Sequence, residues 1–293
     1  MRIVSLIASA TEIVCALGLR DQLVGISHEC DFPPDVVGLP VFSRPKVNPR
    51  ASSAEIDRGV RAIARDGLSV YEIDTEMLEK IAPDLIVTQD QCVVCAVSLK
   101  DVEAAVCTVT RKDTRICTLH PETLQDIRAD FRKVAQAAGV PERGEMLVRE
   151  FDGRLHAIPL PDTRPTVACI EWLDPVMVAG GWMSELVEIA GGQPLIVTEP
   201  GRFATVTWDD VERADPDVVV VMPCGYPIEQ TLSELHADHP LARLRGRCWV
   251  ADGNAYFNRP GPRIADSAAL LARLIHGGPP HEGAVPWGGE THV

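Results

Sequence analysis

The chain has 293 residues, of which 42 are acidic and 28 are basic, so its formal net charge is −14. This acidic excess argues against a protein that binds nucleic acid, because such proteins present a basic patch or stripe. Hydrophobic residues make up 46% of the sequence and charged residues 24%, which is typical of a globular protein and excludes a disordered chain.

The cysteines and the N-terminal segment bear on the compartment. Nine cysteines are spread through apolar segments, and an odd number excludes a complete set of internal disulfides. This pattern favours a reducing, cytoplasmic compartment. The Ser-Ala-Thr-Glu segment at residues 9–12 interrupts the apolar run that a secretory signal needs. The sequence also contains no run of about 18 apolar residues, so we expect no transmembrane helix. We therefore expect a cytoplasmic protein, or a periplasmic one if an upstream leader has been removed.

The first half of the chain alternates short apolar strands with helices. Residues 2–7 form an apolar strand segment, and residues 9–18 have the start and stop signals of a helix. Residues 83–88 form a continuous apolar run that suits a parallel sheet covered on both faces. Polar loops follow the strands at 27–34 and 89–95. Helical periodicity further predicts helices at 52–65 and 74–81.

The second half repeats this order after a long helical segment. Residues 121–157 contain few breakers, so we predict one long helix, bent near Pro141, that links two lobes. The segments 78–87 and 211–220 are similar to each other and both enter an apolar strand. The predicted fold is therefore α/β, with two lobes containing parallel sheets. The predicted boundaries are 1–120 for the N-terminal lobe, 121–158 for the linking helix, 159–278 for the C-terminal lobe and 279–293 for an irregular tail.

Loops at the carboxyl ends of parallel strands are where such sheets bind ligands, so we expect a ligand cleft between the lobes. Trp172 and Trp182 follow the first strand of the second lobe, where they either stack on a large flat ligand or fill the core. The polar loop 252–263 precedes the last helix and is dense in hydrogen-bonding side chains, although it also suits a simple helix cap. The candidate ligand-binding residues are His28, Glu29, Asp90, Gln91, Trp172, Trp182, Tyr226, Asn254, Tyr256, Asn258 and Arg259.

Two loops carry the residue types of a Cys₃His metal site. His28 and Cys30 lie in the first loop, and Cys92 and Cys95 form a C-x-x-C pair in the second. These four residues are the candidate ligands for zinc or iron, with thiol chemistry and ordinary packing of small side chains as the alternatives. The corresponding alternative function is a cytoplasmic metal-binding or thiol-dependent enzyme that uses the same cleft. If the two loops meet there, His28 instead approaches a metal carried by the ligand.

Enzyme motifs are missing elsewhere in the sequence. No glycine-rich phosphate loop has the required spacing, and no serine has the context of a hydrolase nucleophile. The carboxylates are dispersed, so no acid/base pair stands out. We therefore expect a ligand-binding protein more than an enzyme.

Several segments together resemble the iron-siderophore and cobalamin periplasmic binding family, whose members are substrate-binding components of ABC importers. The resemblance covers nearly the whole chain, through residues 2–6, 10–12, 24–27, 31–34, 83–87, 188–192 and 257–263. It implies two Rossmann-like lobes bridged by a long helix, the class III or helical-backbone fold. It also implies cobalamin or a related corrinoid or tetrapyrrole as ligand, and an ABC permease and ATPase as partners.

The resemblance also assigns parts of the pocket. It implies that aromatic side chains from both lobes flank the corrin, with Trp172 or Trp182 in the second lobe, and that loop 255–259 binds the amide side chains of the corrin. Residues 28–30 and 89–92 depart from the family pattern, because they stand where aromatic and hydroxyl residues are expected. These departures imply a different axial contact or a different ligand.

Overall fold

The computed structural model describes residues 1–65, 70–90, 114–196 and 204–288. The chain divides into two units. The first contains Met1–Pro49 and Arg58–Phe151, and the second contains Arg50–Asp57 and Asp152–Val293. This division differs from the predicted boundaries, because the predicted linker 121–158 is shared between the two units and the segment 50–57 belongs to the second.

The first unit is built on a parallel sheet. Its described strands are β1 (Ile3–Ser5), β2 (Leu23–Gly25), β3 (Ser43–Pro45), β4 (Tyr71–Ile73), β5 (Leu85–Gln89) and β6 (Arg115–Leu119). Four of these form a sheet in the order β2-β1-β5-β6 with parallel pairing throughout, and β3 pairs with β4 in an antiparallel ribbon. β1 and β5 are buried along their whole length, as their continuous apolar runs predict.

The helices of this unit follow the predicted pattern except in one region. They are α1 (Ala8–Ala16), α2 (Ser53–Arg65), α3 (Thr75–Ile81), α4 (Leu124–Ala137) and α5 (Pro141–His156). The first residues of α2 and the last residues of α5 belong to the second unit. Asp74 caps α3 by accepting a hydrogen bond from the Met77 N–H at 2.9 Å.

The single long helix predicted for 121–157 is wrong, because α4 and α5 are separate helices. Gly139 has a φ of 75°, a left-handed conformation that ends α4, and Val140 N–H closes the turn on the Ala135 carbonyl at 2.8 Å. The chain then reverses, since Phe131 on α4 contacts Phe151 on α5 with ring centroids 5.4 Å apart. Most of the predicted linker is therefore a helical hairpin packed in the first unit.

The second unit contains a larger mixed sheet. Its described strands are β7 (Thr166–Leu173), β8 (Val176–Val178), β9 (Gln193–Pro194), β10 (Ala204–Thr205), β11 (Val218–Val221), β12 (Arg247–Ala251) and β13 (Ala284–Trp287). The order is β10-β8-β7-β11-β12-β13, with β9 also pairing with β7. β11 runs parallel to both of its neighbours, whereas β8, β10 and β13 pair in antiparallel fashion. The helices are α6 (Met183–Ile189), α7 (Trp208–Ala214), α8 (Ile228–Glu234) and α9 (Ile264–His276).

The irregular tail predicted for 279–293 is corrected by β13. This strand pairs with β12, with Ala251 opposite Ala284 and Cys248 opposite Trp287. This pairing explains why residues 284–287 form a strand, because β12 would otherwise leave the backbone groups of one edge without partners. In the described parts of the chain, no helix is long and apolar enough to cross a membrane.

The internal repeat has the same structural role in both units. Asp84 Oδ2 accepts a hydrogen bond from the Arg2 backbone N–H at 2.7 Å, and Asp217 Oδ2 accepts one from the Thr166 backbone N–H at 2.8 Å. The residue two positions before each aspartate ends its helix with a φ of 46°. In both units the carboxylate therefore fixes the start of the first strand beside the next parallel strand.

Asp130 is a buried carboxyl group on α4. The residue is 5% exposed, and its Oδ2 atom has no hydrogen-bond partner in the described part of the chain. Burial raises the pKa of Asp130 from 3.8 to about 7, although Lys133 partly opposes this increase. Because the folded state then binds the proton more tightly than the unfolded state, the free energy of unfolding falls as pH rises through this interval.

We expect Asp130→Asn to unfold at a higher urea concentration than the wild type at pH 8, because the amide needs no ionisation in a buried site. At pH 4, where the wild-type carboxyl is protonated, the advantage should disappear. Urea unfolding at several pH values measures the difference, with the exposed Asp21→Asn as a control. A stability difference that does not change with pH would contradict the argument.

Candidate functional site

In the first unit, a histidine-centred cluster lies in the loop after β2. His28 Nδ1 lies 2.8 Å from Ser43 Oγ, and the ring of His28 packs against Tyr71 with a centroid distance of 5.1 Å. Tyr71 Oη donates to Glu29 Oε1 at 3.3 Å, and the same carboxylate oxygen lies 3.8 Å from His28 Nε2. The structure therefore brings the predicted residues His28 and Glu29 together.

Burial determines the charge of His28. Its side chain is 21% exposed, and burial lowers the pKa of His28 to about 4. The imidazole is therefore neutral from about pH 5 upward, and each neutral ring carries one donor and one acceptor nitrogen. Such a group suits a polar contact or a metal centre carried by a ligand, and does not attract an anion.

Cys30 does not join this cluster. Its thiol accepts a hydrogen bond from Thr11 Oγ1 at 3.0 Å, and the residue is 6% exposed. His28 contacts Ser43 and Tyr71 instead, so the two adjacent candidates for metal binding have different neighbours. Among the described residues, no group of three or more His, Cys, Asp or Glu side chains could hold a metal ion.

The remaining metal candidates fall outside the described residues. Cys92 and Cys95, together with the ligand-binding candidate Gln91, lie in the segment 91–113, which the structure does not describe. The zinc or iron site formed by His28, Cys30, Cys92 and Cys95 therefore stays a prediction.

Asp90 pairs with a histidine at the carboxyl ends of β5 and β6. These strands pair with Gln89 opposite Leu119, so the residues that follow them, Asp90 and His120, lie side by side. His120 Nδ1 lies 2.6 Å from Asp90 Oδ1, and His120 Nε2 lies 3.5 Å from Glu122 Oε1. The hydrogen bond to Asp90 raises the pKa of His120. This end of the sheet therefore presents an exposed imidazole between two carboxylates.

In the second unit, Trp172 and Tyr226 form an aromatic pair beside the ends of β7 and β11. Their ring centroids are 5.3 Å apart and the rings meet edge to face at 61°. Trp172 is 8% exposed and Tyr226 is 2% exposed, so both have the burial of core residues. Trp172 Nε1 is nonetheless buried without a hydrogen-bond partner among the described residues. Such an N–H is costly until an acceptor reaches it.

Trp182 holds the polar loop that precedes α9. Its indole N–H donates to the Phe257 carbonyl at 2.9 Å, and Trp182 is 8% exposed. Phe257 has a φ of 67°, an uncommon conformation for a large side chain, and its own N–H donates to Ser267 Oγ at 3.0 Å. Trp182 therefore acts as a structural support of the loop in this structure, although the sequence also suggested a stacking surface.

Side chains of this loop also bond to each other. Asp252 Oδ1 accepts hydrogen bonds from the backbone N–H groups of Asn254 and Ala255 at 2.9 and 2.8 Å. Arg259 is 7% exposed, and its Nη2 donates to Asn254 Oδ1 at 2.8 Å. The arginine is thus oriented by the amide that precedes it in the loop.

Asn258 joins this loop to the carboxyl end of β11. Its Nδ2 donates to the Met222 and Gly253 carbonyls, both at 3.0 Å. A Cβ atom at Gly253 would lie 2.0 Å from the Pro223 carbonyl oxygen, so only glycine permits this approach. The two strand-end loops are therefore in direct backbone contact.

Tyr256 is the half-buried aromatic residue of the loop. Its ring lies 6.0 Å from the ring of His281. Burial raises the pKa of Tyr256, so the hydroxyl keeps its proton at neutral pH. A protonated phenol can donate a hydrogen bond and offers an apolar ring face.

Sequence reasoning missed Ser43, Tyr71 and His120. Ser43 lies beside His28 because the Phe42 N–H bonds to the Ile26 carbonyl at 2.8 Å. Tyr71 joins them through the pairing of β3 with β4, and each of these strands has only three residues. His120 had a visible signal, since it follows an apolar strand just as Asp90 does. Placing the ends of these two strands side by side in the predicted sheet would have identified His120 as a neighbour of Asp90.

Comparisons with known proteins agree with this architecture. A family model described as periplasmic binding protein matches residues 3–245. The vitamin B12-binding protein of Vibrio parahaemolyticus is 22% identical over 272 residues, which cover 91% of this chain and 86% of that protein. The vitamin B12-binding protein of Photorhabdus laumondii is 23% identical over 282 residues, covering 94% and 88%.

Solved structures give the same result for the fold. The periplasmic vitamin B12 binding protein of Vibrio cholerae has a TM-score of 0.67 at 19% identity, covering 94% of this chain and 96% of that one. A periplasmic heme binding protein from Pseudomonas aeruginosa has a TM-score of 0.71 at 20% identity, covering 97% and 94%. The predicted α/β fold of class III periplasmic binding proteins is therefore confirmed.

We expect Trp182→Phe to destabilise the protein by about 1–3 kcal/mol, because the Phe257 carbonyl loses its buried donor. Urea unfolding measures the loss, and hydrogen exchange should show faster exchange in the loop 252–259. Trp208→Phe is the matched control, since Trp208 contacts His239 through its ring. Equal stability of the two variants would show that the indole N–H does not support the loop.

We expect Asp90→Asn to lower the pKa of His120, because the carboxylate is the main group that stabilises the imidazolium. Titration of the His120 ring by NMR measures the change. Glu122→Gln should lower it less, since the Glu122 contact is longer at 3.5 Å. An unchanged titration in Asp90→Asn would contradict the pairing.

Proposed function

Because this chain belongs to the periplasmic binding protein family, we propose that it binds cobalamin or a related corrinoid or tetrapyrrole and delivers it to an ABC importer. The curated relatives named for vitamin B12 binding, from Vibrio parahaemolyticus and Photorhabdus laumondii, support the choice of ligand. The permease and ATPase of such an importer are the proposed partners. In this proposal the metal ion of the site belongs to the bound ligand and not to the protein.

One observation in the second unit supports this proposal above the others. Trp172 lies near the end of β7, and the loop with Asn254, Tyr256 and Asn258 follows β12, so both belong to the same edge of one sheet. A macrocycle is flat and apolar on its faces, and it carries polar groups around its rim. Aromatic rings match the faces of such a macrocycle, and amides together with the Trp172 N–H, which has no partner among the described residues, match its rim.

The loop of the second unit is suited to binding because it is already ordered. Trp182 and Asn258 hold its backbone, and Arg259 is oriented by Asn254. A loop held in this way loses little conformational freedom when a ligand binds. We propose that Tyr256 offers its ring and hydroxyl to the ligand, and that Arg259, held by the Asn254 amide, contacts the ligand as well.

The first unit contributes the residues that depart from the family pattern. We propose that His28 contacts the ligand as a neutral imidazole, with Glu29 and Tyr71 fixing its orientation. We propose that Asp90 acts on the ligand indirectly, by its hydrogen bond to the His120 ring. These groups stand where the family resemblance implies aromatic residues, so they would give this chain a different contact with the ligand.

Neither the enzymatic alternative nor the cytoplasmic expectation gains support. The curated relatives are named as binding proteins. The family description and the solved structures concern periplasmic proteins, which supports the periplasmic alternative.

Titration with hydroxocobalamin, followed by its visible spectrum and by calorimetry, tests the proposal. We expect binding, and we expect Tyr256→Ala to weaken it by about 1–3 kcal/mol through loss of a contacting ring. Trp208→Phe serves as the control outside the loop.

Two other outcomes would redirect or overturn this assignment. Binding of hemin without binding of hydroxocobalamin would replace the corrinoid with heme as the ligand. The tetrapyrrole proposal fails if neither compound binds at high micromolar concentration.

A further inference from the structure

A short segment from early in the sequence is bound to the second unit. Residues 50–57, called the strap below, belong to that unit although the rest of it begins at Asp152. The Ala51 carbonyl accepts hydrogen bonds from Tyr226 Oη at 3.0 Å and from Gln230 Nε2 at 3.4 Å. The strap is thus held by side chains on and just before α8.

Glu234 makes the strongest contact with the strap. Its Oε1 accepts from the Ser53 backbone N–H at 2.9 Å, and its Oε2 accepts from Ser53 Oγ at 2.6 Å. Ser53 is the first residue of α2 and has no exposed surface. The carboxylate therefore caps this helix from another part of the chain, through two charge-assisted hydrogen bonds.

Tyr226 connects the strap to the proposed ligand contact. Its hydroxyl is bound to the Ala51 carbonyl while its ring lies edge to face against Trp172. Burial, followed by the nearby charge of Glu234, raises the pKa of Tyr226, so the phenol stays a donor. Tyr226 also shares a side-chain hydrogen bond with Glu234, so Glu234 and the Ala51 carbonyl together hold the phenol. Its ring would move if both contacts were weakened.

From these contacts we infer that Glu234, Ser53 and Tyr226 are positioning residues that orient the Trp172 indole for the ligand. One path of contacts runs from Glu234 to Ser53 and along the strap to Ala51 and Tyr226, and a second runs from Glu234 to Tyr226 directly. Both paths reach Trp172 through the ring of Tyr226. This inference rests on the proposed function, since it assigns the Trp172 N–H to a ligand acceptor. It adds that the second unit's site requires a segment from the start of the sequence.

The first experiment uses the ligand-free protein. Glu234→Ala should make backbone amides of the strap exchange hydrogen about tenfold faster, because two charge-assisted bonds are lost. The near-ultraviolet circular dichroism assigned to Trp172, taken as the protein minus Trp172→Phe, should also change. Glu229→Ala is the matched control, because Glu229 is an exposed residue on the same helix. Ser53→Ala removes one of the two bonds and serves if Glu234→Ala folds poorly.

The second experiment is a double-mutant cycle with hydroxocobalamin as the probe. Glu234→Ala should weaken binding about three- to tenfold in the wild type and have no further effect in a Trp172→Phe background. A merely structural role would give the same loss in both backgrounds.

The outcomes separate the two proposals. Unchanged strap exchange, an unchanged Trp172 signal or fully additive losses would each overturn the positioning role. If hydroxocobalamin does not bind the wild type, the proposed function fails, and the two ligand-free readouts still decide whether the strap orients Trp172.

Discussion

The parallel pairing of β11 with β7 and β12 is the interaction on which the second unit's candidate site depends. Val218–Val221 is buried throughout and forms a regular ladder with both neighbours. Parallel strands end at the same edge, so the residues after each strand emerge together. Trp172, Tyr226 and the loop 252–259 are neighbours for this reason, although they lie far apart in the sequence.

The two units prepare their strand ends differently. In the second unit, side chains bind backbone carbonyls, as Trp182 does for Phe257 and Asn258 does for Met222, so the loop has a defined shape before any ligand arrives. In the first unit the strand ends carry titratable groups. His28 is half-buried and has a lowered pKa, whereas His120 is exposed and paired with a carboxylate. The second unit therefore has a loop of fixed conformation, and the first unit has two imidazoles whose pKa values are shifted in opposite directions.

Much of the fold could be predicted because its signals are local. Apolar runs indicated β1, β5, β7 and β11, and the similar segments 78–87 and 211–220 indicated repeated units. Gly139 and Pro141 predict only a bend, whereas the structure has two separate helices, α4 and α5. Whether a helix bends or reverses depends on packing partners such as Phe131 and Phe151, which periodicity does not identify. The strand β13 was missed because edge pairing is a long-range contact.

The sequence by itself determined the central apolar strands, most helices, the α/β class and the loops in which His28, Asp90, Trp172 and Asn254 occur. Those features follow from hydrophobic period, turn residues and strand-end position, which are properties of neighbouring residues. Only the tertiary structure decided that the Cys30 thiol bonds to Thr11, that the Trp182 indole donates to the Phe257 carbonyl and that Glu234 caps the helix that begins at Ser53. Such contacts join residues distant in the chain, and their geometry is set by the packing of whole elements.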